Sequence, residues 1–139
     1  MQKTVDPSGH DFKRLAAEVP QDVPIVMLNL LKFRAVAAYP PEPGRAEVSG
    51  RAAYATYSRE VAPILQRRGG RPIWHAEVRS AFIAPEGEDW DEVLLVSYPS
   101  VQAFLAMVTS AEYQAVTIHR RAALENARLI ATLPDQPKG

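Results

Sequence analysis

The chain has 139 residues, enough to bury one sizeable core and too few for two comfortable domains. Its 16 basic and 16 acidic side chains cancel to a formal net charge of zero, so no overall field favours nucleic acid or an anionic membrane. Cysteine is absent, which excludes disulfides, thiolate nucleophiles and cysteine metal sites; with no secretory apolar segment and no run of about twenty apolar residues, a cytoplasmic protein that does not enter the membrane is expected.

Asp6-Pro7 reads as an N-cap and first-turn proline, and Phe12, Leu15, Ala16 and Val19 follow at helical spacing, so a short helix ending before Pro20 is expected. The stretch Val23 to Phe33 comes next. Only Asn29 and Lys32 interrupt its apolar character, and it is far too short to span a bilayer, so it reads as a strand buried on both faces, from about Pro24 to Arg34. Pro40, Pro41, Pro43 and Gly44 make the following segment, to Val48, an exposed and mobile loop.

Ser49 is a fitting N-cap for a helix whose apolar face carries Ala53, Tyr54, Tyr57, Val61, Ile64 and Leu65. Pro63 should bend this helix, and Gly69-Gly70 should end it. Arg71 to Ala84 mixes β-branched, aromatic and polar residues as an edge strand would, and Pro85 to Asp89 turns the chain. Trp90 to Tyr98 returns as a strand whose middle, Val93 to Val96, is again apolar on both faces. Ser100 caps one helix and Ser110 its continuation through Tyr113, Val116, Arg120, Ala123 and Leu124. Asn126 to Leu133 is a last strand. The organisation is then a helical extension over 1–22, a domain over 23–133 and a polar tail over 134–139.

Strand, helix, strand, strand, helix, strand defines an α+β, ferredoxin-like βαββαβ fold: a four-stranded antiparallel sheet with both crossover helices on one face, here with an extra N-terminal helix. In that arrangement the first and third strands are central, which are the two with doubly apolar middles. A sheet about 19 Å wide and about 20 Å long presents roughly 400 Å² per face, at the upper end of what a soluble monomer leaves exposed. A second copy packed face to face would cover it, so a homodimer through the sheet face is expected.

The strings MLNLLKFR, YATYSREVAPILQRRGG, WDEVLLVSYPS and SAEYQAVTIHRRAAL together resemble the family of domain of unknown function 1330, over roughly Val23 to Leu133. The resemblance implies the dimeric α+β barrel superfamily, sheet order 4-1-3-2, and two subunits forming one barrel. Related superfamily members include cofactor-independent monooxygenases, haem-degrading enzymes, muconolactone isomerases, chlorite dismutases and plain binding modules, so the fold does not select a reaction.

Several polar residues fall on faces expected to be buried. Asn29 either satisfies a neighbouring backbone group or lines a pocket between sheet and helices. Tyr54 and Tyr57 supply packing area and a hydroxyl each. Arg120 lies on the apolar stripe of its helix, where it either pairs internally or holds a substrate carboxylate. His119 and Tyr57 are the weak catalytic candidates; successive helical residues point about 100° apart, so His119 and Arg120 need not share a pocket. His75 reads as a surface or interface residue, and the acidic group Glu86, Glu88, Asp89, Asp91 and Glu92 as a solvated hairpin that Trp90 anchors. The histidines His10, His75 and His119 form no metal-ligand pattern. No cofactor is expected, although a lone axial histidine to haem stays open. Phosphate-binding glycine loops, a nucleophile elbow and basic stripes interleaved with aromatics are missing from the sequence.

Two functional readings follow. One is a homodimeric, cofactor-independent enzyme, monooxygenase- or isomerase-like, acting on a compact apolar or aromatic small molecule that Asn29, Tyr54 and Tyr57 orient and Arg120 holds by its anionic end. The other is a noncatalytic dimeric module that binds a small molecule or a partner.

Overall fold

The computed structural model describes residues 2–135; residues 136–139 of the expected polar tail lie outside the described residues. The elements in order are α1 (Gly9–Glu18), β1 (Ile25–Phe33), α2 (Gly50–Arg67), β2 (Arg71–Glu77), β3 (Glu92–Tyr98), α3 (Val101–Val108), α4 (Ala111–Ala123) and β4 (Leu124–Thr132). They form the ferredoxin-like arrangement, an antiparallel sheet of order β2-β3-β1-β4 with α2 and α4 packed together on one face.

Strand β1 organises the sheet. It pairs with β3 from Ile25↔Tyr98 to Leu31↔Glu92 and with β4 from Val26↔Thr132 to Phe33↔Leu124. Ile25, Met27, Asn29, Leu31 and Phe33 point at the helices and are buried, while Val26, Leu28, Leu30 and Lys32 point away and are half-buried. Two apolar clusters lie on the helix side: Ile25, Met27, Val96 and Tyr98 with Ile64, Leu65, Val101 and Phe104, and Leu31 and Phe33 with Ala53, Tyr54, Tyr57 and Leu124. On the other face Val26, Leu28 and Leu30, with Val93 and Leu95 of β3, Trp74 of β2 and Ile130 of β4, have no covering layer in the single chain.

Side-chain caps start each helix. Ser49, Ser100 and Ser110 each accept from the backbone N–H three residues on, at 3.0 to 3.2 Å. For α1 the cap is Ser8 and not Asp6: Ser8 Oγ accepts from Asp11 N while Asp11 Oδ2 accepts from Ser8 N at 2.8 Å, a reciprocal box that Asp6 has no partner to make. Asp6 instead accepts from Arg121 Nε at 3.0 Å. Helix α2 runs through Pro63 and stops where Gly69 takes φ +77°, a left-handed conformation that glycine adopts without a Cβ clash.

Three sequence expectations are corrected. Strand β2 ends at Glu77 rather than Ala84, because Val78 N–H to Asp91 C=O is the last rung and nothing lies opposite residues 79–84 to continue the ladder; Phe82 and Ile83 stand 96% and 89% exposed. The acidic hairpin is not simply solvated. Asp89 pairs with Lys32 at 2.6 Å, Asp91 accepts from the Phe33 N–H at 2.8 Å, and Glu92 turns toward α2. The proline-rich loop after β1 is irregular and exposed but tethered, by Ala37 N–H to Val48 C=O, Ala38 N–H to Ala122 C=O and the Tyr39 hydroxyl on His119.

Gly50 sets how closely α2 approaches the end of β1. A Cβ there would lie 2.3 Å from Arg34 O, 2.6 Å from Ala123 O and 2.7 Å from Arg34 N, all backbone atoms. Only glycine fits, and the fit fixes where Tyr54 and Tyr57 stand one and two turns later.

Candidate functional site

A cleft of about 1870 Å³ runs between the sheet and the helices, from α1 beside β4 to the edge strand β2 on the other side. Met27, Asn29 and Leu31 form part of its floor, and Tyr54 and Tyr57 from α2, Tyr113 from α4 and Tyr98 from β3 line it. The space exceeds what a small ligand fills, so polar side chains, rather than volume, define the site within it.

The Asn29 amide donates through Nδ2 to the carbonyls of Met27 at 3.3 Å and Leu94 at 3.2 Å. Both donors are thus spent on backbone, as the structural reading of this residue requires. Its Oδ1 has no protein partner among the described residues, yet no buried side-chain N or O atom among them lacks a partner, so Oδ1 reaches open cleft. Asn29 therefore offers a ligand an acceptor, not a donor.

The tyrosines form a connected cluster. Rings of Tyr54 and Tyr57 lie 5.3 Å apart, those of Tyr57 and Tyr113 6.3 Å apart, and the Tyr57 and Tyr113 hydroxyls share a hydrogen bond of 2.9 Å. The Tyr54 and Tyr98 hydroxyls have no partner among the described residues and, by the same reasoning, meet the cleft. Burial pushes the Tyr54 hydroxyl up to about 12, opposed by the Arg120 guanidinium. Burial also raises Tyr57 well above its ordinary value, helped by Tyr113 and Tyr54, and raises Tyr98. At neutral pH all three are therefore protonated and can donate.

Arg120 brings a positive charge to this cluster. Its Nη1 donates to the Val5 carbonyl and lies 4.0 Å from Asp6, and only 11% of its side chain is exposed. The head thus ties down the N-terminal segment, while Nε and Nη2 have no partner among the described residues. Asn29, Tyr54, Tyr57 and Arg120 are accordingly brought together on one cleft.

His119 is not among the residues that line it. Its Nε2 lies 2.8 Å from Glu60 Oε2 and its Nδ1 2.6 Å from the Tyr39 hydroxyl. Tyr39 and Nδ1 share a hydrogen bond whose donor depends on the tautomer of the ring, and Nε2 faces the Glu60 carboxylate. Both nitrogens of His119 are therefore turned toward Tyr39 and Glu60 rather than toward the cleft. No group of three histidine, aspartate or glutamate side chains is arranged for a metal ion among the described residues.

Sequence reasoning missed Tyr98, Tyr113 and a charged group at the β2 mouth, where Glu92 meets both His75 and Arg51. Tyr113 was visible on the apolar stripe of its helix. Tyr98 and Glu92 required the strand register, which places both on the helix face of β3 opposite Ile25 and Leu31.

The molecule is thus a ferredoxin-like α+β protein with a tyrosine-lined cleft between sheet and helices. Residues 44–132 match the family described as "Domain of unknown function (DUF1330)", and the chain belongs to that family. It is similar to a protein of unknown function from Rhodopseudomonas palustris, with 38% identity over 98% of this chain and 100% of that one and a TM-score of 0.87. Two more distant structures share the fold alone. One is a dimeric protein of unknown function and ferredoxin-like fold from Bacteroides fragilis, at 13% identity over 81% of this chain and 98% of that one, TM-score 0.51. The other is SnoaB, a cofactor-independent oxygenase from Streptomyces nogalater, at 14% identity over 83% and 96%, TM-score 0.51. No match was found among curated protein sequences. No helix among the described residues is long and apolar enough to cross a membrane.

Proposed function

We propose that the chain is a homodimeric small-molecule-binding protein whose cleft takes a compact aromatic ligand carrying an anionic group and a hydrogen-bond donor. The observation that carries this reading is the convergence of unspent polar atoms on one apolar cleft: the Tyr54 and Tyr98 hydroxyls, Asn29 Oδ1, and Nε and Nη2 of Arg120. Apolar walls accept the ring, the guanidinium holds the anion, and Asn29 accepts from the ligand's own hydroxyl. Dimerisation is supported by the uncovered apolar face of the sheet, which a second copy matches in size and character, and the Bacteroides fragilis protein of the same fold is described as dimeric.

Calorimetric titration with 4-hydroxybenzoate tests the site. Binding is expected, with Arg120→Gln weakening it about tenfold, the effect of losing roughly 1.4 kcal/mol of charge-assisted hydrogen bonding. Absence of binding, or an Arg120→Gln variant that stays folded and binds equally well, refutes the assignment.

Catalysis without a cofactor is the second reading, and the fold shared with SnoaB, a cofactor-independent oxygenase, favours it. Tyr57 would then act as a neutral donor to a developing oxyanion. Turnover of a panel of phenols and keto acids by the chain alone, lost in Tyr57→Phe, is the expected result; a panel without turnover leaves the binding protein.

A further inference from the structure

The mouth of the cleft between α2 and β2 holds a set of charged groups that binding alone leaves without a use. His75 of β2 meets Glu92 Oε1 through Nε2 at 2.7 Å, and the second carboxylate oxygen accepts from Arg51 Nη1 at 2.6 Å. Arg51 in turn lies over the Phe33 ring, 4.7 Å from its centroid. His75, Glu92 and Arg51 all line the cleft, as does Tyr54. Because the carboxylate only accepts, Nε2 carries the imidazole proton. In the neutral form of the ring the lone pair is therefore on Nδ1, which has no partner among the described residues.

Exposure distinguishes this from an ordinary surface pair. Glu92 is 16% exposed and held on both oxygens, whereas His75 is 59% exposed. The half-buried member is the one that orients, and the accessible member is the one that would have to reach a ligand. A carboxylate fixed by arginine and fixing an imidazole by one nitrogen is the arrangement of a positioned base. The other charged groups here are Arg59 of α2 and Arg71 at the start of β2, which line the same cleft, and Glu77 on the same face of β2, which is engaged by Arg79 at 3.0 Å.

We propose that His75 is a proton-transfer residue of the cleft, with Glu92 as its positioning residue, acting on a ligand that has an acidic C–H beside a carbonyl. The role rests on the cleft being a site for aromatic anions. In the step, Nδ1 takes the proton as the C–H bond breaks, and the electron pair moves into the carbonyl to form an enolate. The enolate oxygen accepts a hydrogen bond from a protonated tyrosine of the cleft. Return of the proton to carbon or oxygen completes exchange or tautomerisation with no further reactant.

Phenylpyruvate is a suitable probe, since it joins an aromatic ring, a carboxylate and an acidic benzylic CH₂ next to a ketone. Proton NMR in D₂O follows loss of the benzylic signal in the presence of the full-length chain, and saturation transfer in the same sample reports binding. Exchange is expected at least tenfold faster than in buffer, and His75→Gln is expected to return it to the buffer rate. Glu92→Gln should leave phenylpyruvate binding unchanged in saturation transfer but slow exchange about tenfold, because an amide no longer fixes the tautomer that leaves the lone pair on Nδ1; weakened binding with unslowed exchange would overturn the positioning role. His119→Gln, outside the cleft, should change nothing. Binding without accelerated exchange, or exchange that survives in His75→Gln, overturns the proton-transfer role and leaves the binding site standing. Failure of phenylpyruvate to bind removes the aromatic-anion site and this role with it.

Discussion

Replacing Gly50 by alanine tests how α2, and with it Tyr54 and Tyr57, is docked on β1. The added Cβ meets three backbone atoms at 2.3, 2.6 and 2.7 Å, so relief needs a movement of most of an ångström. Arg34 cannot give freely, because its N–H donates to Ala123 C=O at 2.8 Å and its C=O accepts from Gly50 N–H at 3.0 Å. Overpacking of about 1–3 kcal/mol and the loosening of two hydrogen bonds at about 1 kcal/mol each together give a loss of about 3–5 kcal/mol. For a domain whose whole stability is of order 5–15 kcal/mol, this is a large fraction. Urea denaturation should show the midpoint falling by about 2 M at an unchanged slope of roughly 2 kcal/mol/M. Gly9→Ala is the control: nothing lies within 4 Å of its added Cβ, at the start of α1, and alanine's better helix propensity should leave stability equal or higher by up to about 1 kcal/mol. A Gly50→Ala midpoint within 0.5 M of wild type, an allowance of about 1 kcal/mol on that slope, would refute the close-approach argument.

Stability should hold to about pH 9–10 and then fall. The Tyr54 hydroxyl ionises near 10 in the unfolded chain and at about 12 in the folded one, so above pH 10 the unfolded state releases its proton first and gains. Two units correspond to about 2–3 kcal/mol lost by pH 12, and Tyr54→Phe should remove that part of the alkaline slope in pH-dependent urea melts. A double-mutant cycle on Tyr57→Phe and Tyr113→Phe should give a coupling of about 1 kcal/mol from their shared hydrogen bond, and a coupling near zero would mean the hydroxyls do not pair. If the chain dimerises through the uncovered sheet face as proposed, wild type should sediment as a dimer and Leu95→Lys, placing a charge on that face, as a monomer that still binds 4-hydroxybenzoate; a monomeric wild type would refute the dimer, and an unaltered Leu95→Lys dimer would put the interface elsewhere.

Most of the fold was legible because its signals are local. Ser49, Ser100 and Ser110 each precede a helical apolar stripe and each caps it. The doubly apolar strands β1 and β3 proved to be the central pair. The miss at α1 has a local cause too: Pro7 drew attention to Asp6, although Ser8 and Asp11 stand at capping-box spacing. Strand ends were less legible, since where β2 stops depends on where β3 begins and not on residues 78–84 themselves. The same division holds for the site. Asn29, Tyr54, Tyr57 and Arg120 were visible as polar atoms on apolar faces, and the helical offset between His119 and Arg120 does send the two side chains to different partners. His75, Glu92 and Arg51 come from three elements separated by 17 to 41 residues, and only the pairing of β2 with β3 beneath α2 assembles them. No spacing within the sequence carries that information.

The cleft itself is tested most directly by tyrosine-labelled NMR. The chain has five tyrosines, and Tyr54, Tyr57, Tyr98 and Tyr113 line the cleft while Tyr39 sits outside it against His119. With ¹³C in the tyrosine rings, titration with 4-hydroxybenzoate should shift four ring signals along one saturable curve and leave that of Tyr39 in place. Movement of Tyr39 alone, or no saturable shift in any of the other four, would contradict the assignment of this cleft as the ligand site.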